Sequence, residues 1–175
     1  MSETPEPAAV CNDSITVQFA VRSRRGIPAA VTLRRWALAA LQPGRESREL
    51  CLRIVDESAM QGLNRDYRGR DRGTNVLSFP GVGRLPGGIE HLGDVVVCAA
   101  VAEREAWQQG KAVRDHWAHL VVHGSLHLQG LDHIKPCEAA IMEAREREIL
   151  AGLGIPDPYR MPPSHPDAAR AGNAA

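Results

Sequence analysis

Four of the seven histidines stand at positions 116, 119, 123 and 127, at intervals of three, four and four residues, and His133 follows just past Gly130. In an α-helix those intervals bring side chains onto one face. A helix from near Asp115 to Leu128 would therefore carry a row of imidazoles, and Gly130, which tolerates a positive φ, would end it and turn the chain. A single helical histidine is ordinarily a hydrogen-bonded polar residue; four in register ask for another explanation.

Geometry narrows which of them can share an ion. A helix rises about 1.5 Å per residue, so His119, His123 and His127 span roughly 12 Å, too far for bonds of about 2.0–2.1 Å to one zinc. One adjacent pair must serve. The pair nearest the helix end, His123 and His127, is the one to which a turn at Gly130 returns His133. Three imidazoles leave one coordination position open, as a catalytic rather than a structural zinc site requires. His116 and His119 then fall to supporting, surface or substrate-facing roles. Asp132 either orients an imidazole or shapes the turn, and Cys137, four residues past His133, is a conceivable further ligand that an all-histidine site does not need.

The spacing H-x-x-x-H-x-x-G-x-x-H is similar to the zinc frame of the metzincin proteases, where a glutamate directly after the first histidine acts as general base. Here that position is Gly124. A protease without that carboxylate would forgo about 10²-fold or more, which points to another hydrolysis. Cleaving a phosphodiester needs a cation for the charge that develops on phosphoryl oxygens. Arg68 is a candidate, in a segment, Arg65 to Gly73, whose charges and glycines read as an exposed loop; Arg65, Arg70 and Arg72 compete with it.

The rest of the chain frames this site. Ile15, Val17, Phe19 and Val21 alternate as in a half-buried strand, and Leu50, Leu52 and Ile54 repeat the pattern. Asn75 to Phe79 reads as a third strand stopped by Pro80, and Leu92 to Cys98 as a fourth. Helices are expected after Pro28, ending before Pro43-Gly44; after Asp56-Glu57-Ser58, through Leu63; over Ala99 to Gln109; and from Pro136 or Cys137, with Ile141, Met142, Ile149 and Leu150 inside, to Gly152 or Gly154. The sum is an α+β fold, one mixed four-stranded sheet with about five or six helices. Residues 1–12 and 161–175, rich in Pro and Ala, read as tails to a single domain over 13–160.

Composition excludes several classes. No apolar run approaches the roughly 18 residues of a membrane span, and MSETPEPAAVCNDS lacks the basic and apolar regions of a secretory signal, so a cytoplasmic protein with no membrane partner is expected. The four cysteines, at 11, 51, 98 and 137, form no C-x-x-C pair and suit reduced thiols. Formal net charge is zero, against a protein that coats nucleic acid or binds DNA by bulk electrostatics. Between Val21 and Arg72, however, twelve arginines face six acids. Aromatics make up only 4% of the chain, so RNA contacts would rest on shape and phosphate more than on stacking.

Over residues 45 to 160 the chain resembles the YbeY family of bacterial endoribonucleases. The resemblance rests on Leu63-Asn64-Arg65-Asp66-Tyr67-Arg68, Thr74-Asn75-Val76-Leu77-Ser78-Phe79-Pro80, Leu92-Gly93-Asp94-Val95 and the block from His119 to His133, with Asp157-Pro158-Tyr159 also in keeping. It implies one Zn²⁺ per chain on His123, His127 and His133, a functional arginine at Arg68, and single-strand-specific RNA cleavage in 16S ribosomal RNA maturation and ribosome quality control, with small-subunit particles as partners. Two other classes fit the residues less well: a ribosome assembly factor whose metal only stabilises the fold, and a metallopeptidase, which Gly124 disfavours.

Overall fold

A computed structural model of the protein describes residues 12–42 and 47–160. The expected tails, apart from Asn12, and the Pro43-Gly44 helix stop lie outside the described residues. Strands β1 (Ser14–Ala20), β2 (Arg48–Val55), β3 (Val76–Arg84) and β4 (Glu90–Cys98) form one sheet in the order β1-β2-β4-β3, with β1, β2 and β4 parallel and β3 antiparallel to β4. Five helices accompany it among the described residues: α1 (Ala30–Ala40), α2 (Glu57–Arg68), α3 (Ala99–Gln108), α4 (Val113–Leu128) and α5 (Pro136–Gly152). The architecture is α+β with a mixed four-stranded sheet.

The two-residue period of β4 explains how helices cover both faces of this sheet. Val95 and Val97 point into the larger core, with Leu50, Leu52 and Ile54 of β2, Trp36 of α1, Trp117, Val121 and Leu126 of α4, and Leu150 of α5. Val96 and Cys98 point the other way, onto Met60 of α2, Leu77 of β3 and Val101 of α3. Burying an aliphatic side chain contributes about 1.5–3 kcal/mol, and α4, buried around most of its circumference, is anchored by eight apolar or small residues from Trp117 to Leu126. His119, His123 and His127 lie on the side left partly accessible.

Two boundaries differ from the sequence expectation. Pro80 does not stop β3, which continues to Arg84 through an irregularity between Pro80 and Gly83. β3 is an edge strand, so a proline lacking its N–H costs no ladder bond on the open side. Arg65 to Arg68 are not loop but the last turn of α2, which ends at Gly69 with φ 63°. Buried Asn64 stabilises that end: its side-chain amide donates to the Arg72 carbonyl at 2.7 Å and its own carbonyl accepts from the Arg70 amide. Ile141, expected inside, is 64% exposed.

The arginine-rich half is partly consumed by structure. Arg48 is buried in a bidentate pair with Asp13, Arg34 donates to the Ile15 carbonyl, and Arg24 lies 3.9 Å over the Phe19 ring. Those guanidiniums fasten β1 to its neighbours.

Candidate metal centre

The end of α4 is built to hold two imidazoles steady and bring a third to them. Beyond Leu128, the Gly130 amide donates to the His127 carbonyl and the Leu131 amide to the Leu126 carbonyl, the crossed pair of bonds that closes a helix when one residue takes positive φ. Gly130 has φ 87°. Gln129 pins this turn to α1, donating to the Ala40 carbonyl and accepting from the Gln42 amide. The chain then doubles back through Asp132, whose Oδ1 accepts from the His133 amide at 2.7 Å.

His123, His127 and His133 meet there, with ring centroids 4.7, 5.4 and 4.9 Å apart and one nitrogen from each within 4.8 Å of the others. Hydrogen bonding assigns the tautomer of His123. His123 Nδ1 is 2.6 Å from Glu146 Oε1, an acceptor, so Nδ1 carries the proton and Nε2 presents a lone pair. That lone pair points at His127 Nε2, 3.2 Å away. The His127 pKa is pushed down to about 4 by burial and by the neighbouring His123 and His133, so its ring is neutral at physiological pH. Two imidazole nitrogens tetrahedrally bound to one zinc at about 2.0–2.1 Å would stand about 3.3–3.4 Å apart. The donor set thus fits a divalent ion: three imidazoles gathered with their nitrogens at ligand spacing.

His119 is outside this group of three. Its Nε2 lies 3.3 Å from Glu146 Oε2, while the Tyr159 hydroxyl makes a short hydrogen bond to the same oxygen. Burial alone would raise the Glu146 pKa, but the hydrogen bonds from His119, His123 and Tyr159 outweigh it and hold the carboxyl down at about 2. His116, nearly fully buried, is 3.0 Å from Glu105 Oε2, which also accepts from Asn75. A cleft of about 200 Å³ lined by Asn75, Val76, Glu105, His116, His119 and His123 runs along this side of α4.

Glu146 was not among the residues the sequence singled out, although a signal was present. Met142, Ile149 and Leu150 are buried in α5, and Glu146 completes their helical spacing. An acid on an otherwise apolar stripe needs a buried partner.

Asp132 is 4.0 and 3.9 Å from the Nδ1 atoms of His127 and His133, beyond hydrogen-bond reach, and the bond it makes is to backbone. Of the two roles open to it, the structure gives it the turn. Cys137 sits exposed in the first turn of α5.

Gly124 explains why no glutamate follows the first histidine. A Cβ there would fall 2.5 Å from Val95 Cγ1 and 3.2 Å from Val76 Cγ2. The Gly124 carbonyl accepts from Ser78 Oγ of β3 at 3.0 Å. This position is the seam between α4 and the sheet and has no space for a general base.

Arg68 is exposed at the end of α2, and among the described residues it makes no ion pair, whereas Arg65 is paired with Asp66 at 3.2 Å. The preceding Tyr67 packs edge-on against Phe79, with centroids 4.8 Å apart, next to the Ser78 that contacts α4.

The chain matches the sequence profile of a family described as Endoribonuclease YbeY across residues 25–154. Proteins of that name from Alkalilimnicola ehrlichii and Stenotrophomonas maltophilia are each 52% identical to it, over 87% and 83% of this chain and 97% and 92% of theirs. One from Halorhodospira halophila is 53% identical over 76% of this chain and 88% of its own. The solution structure of TM1509 from Thermotoga maritima aligns with a TM-score of 0.49 at 20% identity, covering 84% of this chain and 99% of that one.

Proposed function

The chain belongs to the YbeY family of endoribonucleases, and from that premise we propose that it is a zinc-dependent, single-strand-specific endoribonuclease acting in 16S ribosomal RNA maturation and ribosome quality control. In this reading it works in the cytoplasm on RNA within small-subunit particles, with one Zn²⁺ per chain held by His123, His127 and His133.

The observation that carries the reading is the convergence of His123, His127 and His133 on one point, with the Nε2 atoms of His123 and His127 3.2 Å apart. An ion on these three nitrogens supplies Lewis acidity, either activating water or polarising a phosphoryl oxygen. The protein's own residues supply the rest. The tethered imidazoles fix the ligand geometry. Arg68, planar and permanently charged, grips a phosphate through paired N–H groups and steadies the negative charge that grows on it. Exposed Tyr67 offers a base a face to stack on beside that grip. Gly124, closed against β4, leaves this centre without the carboxylate on which a peptidase of the same histidine spacing relies.

The test is cleavage of a single-stranded RNA, with zinc content measured on the same preparations. Wild type should carry about one zinc per chain and cut. His123→Ala should lose both. Arg68→Ala should keep its zinc and cut about 10²-fold or more slowly. Full cleavage by Arg68→Ala would remove that residue from the mechanism, and full cleavage by metal-stripped protein would end the zinc reading.

A further inference from the structure

We propose that Glu146 is the positioning residue of this metal centre: its buried carboxylate fixes the His123 ring with Nε2 turned toward the ion, and Tyr159 locks that carboxylate by fastening the chain beyond α5 onto it. The inference rests on the zinc reading above and adds the residues that set how tightly the ion is held.

The Glu146 side chain has no exposure to solvent, so every lone pair it satisfies must be satisfied by protein. Three donors converge on it: His123 Nδ1–H on Oε1, and His119 Nε2–H and the Tyr159 hydroxyl on Oε2. An imidazole that gives its Nδ1 proton to a carboxylate can offer only Nε2 as a ligand, and the carboxylate makes that nitrogen more basic. The arrangement therefore decides which atom of His123 faces His127 and His133.

Glu146, His119 and His123 are themselves a possible metal-binding group, but their spacing argues otherwise. An ion bound between His123 Nδ1 and Glu146 Oε1 would hold those atoms about 3 Å or more apart. At 2.6 Å they share a proton instead. His119 is thereby committed to orienting Glu146, with its ring 6.0 Å from that of His123 and 5.4 Å from that of Tyr159.

Tyr159 reaches Glu146 because its segment is strapped down from several sides. Lys111 Nζ donates to the Pro158 carbonyl at 2.6 Å, Arg147 pairs with Asp157 and lies 4.8 Å over the Tyr159 ring, and Asp157 Oδ1 accepts from the Tyr159 amide. The Asp157-Pro158-Tyr159 turn, noted in the sequence but given no task there, thus forms the outer wall of the carboxylate's cage.

The experiment compares full-length wild type, Glu146→Gln and Tyr159→Phe by zinc affinity in chelator competition and by the ¹⁵N-imidazole NMR signal of the His123 Nδ1 proton. Glutamine keeps the shape of Glu146 but replaces one acceptor oxygen with a donor, so zinc affinity should fall about 10–100-fold and the downfield Nδ1–H signal should vanish or shift. Tyr159→Phe leaves the carboxylate in place and should weaken zinc about fivefold, the worth of one lost hydrogen bond. Should Glu146→Gln fail to fold, Tyr159→Phe decides the matter on the same two readouts. Wild-type affinity and an unchanged Nδ1–H signal in the folded variants would overturn the role of Glu146 while leaving the zinc reading intact. Wild-type protein that takes up no zinc would refute both.

Discussion

The two ends of the histidine row are held in opposite ways. His116, His119 and His123 each meet a carboxylate, at 3.0, 3.3 and 2.6 Å, from Glu105 or Glu146, and their side chains are 4%, 16% and 23% exposed. Among the described residues the carboxylate nearest His127 and His133 is that of Asp132, at 4.0 and 3.9 Å, and His133 is 55% exposed. A single row on one helix thus divides into a tethered half, whose tautomers the protein dictates, and a looser half at the turn. Under the proposed zinc reading the division would separate two tasks: the interior would fix where an ion sits, and the turn would let the last ligand close on it from the solvent side. Rigidity behind and access in front is what a centre that turns over requires, whereas a purely structural site would enclose every ligand.

Acid should loosen the tethered half through its buried carboxylate. The Glu146 carboxyl is held at about 2 in the folded protein against 4.5 ordinarily, so its contribution to stability is complete above about pH 4.5 and is lost as pH falls toward 2. That difference corresponds to about 3 kcal/mol. In metal-stripped protein, urea unfolding of wild type should weaken over this window by about that much more than unfolding of Glu146→Gln. Parallel pH profiles for the two would mean that the carboxylate is not tethered as described.

A smaller effect lies on the reverse face of the same helix turn. Gly124→Ala forces a methyl group toward Val95 and should cost about 1–3 kcal/mol in unfolding free energy, although alanine favours a helix. An unchanged or raised melting temperature would show that α4 can lift from the sheet, and that the ligand pair is less firmly seated than its tethered end suggests.

The smallest effect belongs to the loose half. Asp132→Ala removes an exposed cap on the His133 amide and should cost less than about 1 kcal/mol, with zinc affinity close to that of wild type in the competition assay. A loss as large as that of Glu146→Gln would erase the distinction between the two ends.

The same division governs what could be read from the chain. The looser half is local in sequence: two histidines four apart, a glycine, and a third histidine three residues later are enough to bring three imidazoles together, because helix periodicity and a positive-φ turn act over short distances. Strand alternation in β1 and β2 was legible for the same reason. The tethered half is not local. Glu146 lies 23 residues from His123 and stands among Glu143, Arg145, Arg147 and Glu148, where only its place on the stripe of Met142, Ile149 and Leu150 sets it apart. Tertiary context also moved the two boundaries. Pro80 is tolerated because β3 became an edge, which depends on strand order, and the charged stretch from Arg65 stayed helical because buried Asn64 secures the turn beyond it.

The central claim concerns three nitrogens around one ion, and X-ray absorption at the zinc edge of the metal-loaded protein tests it most directly. The spectrum should show three imidazole nitrogens at about 2.0–2.1 Å, a fourth light-atom ligand, and no sulfur near about 2.3 Å. A sulfur shell, which would bring Cys137 into the site, or fewer than three imidazoles around a zinc that binds in equal proportion to protein, would contradict it.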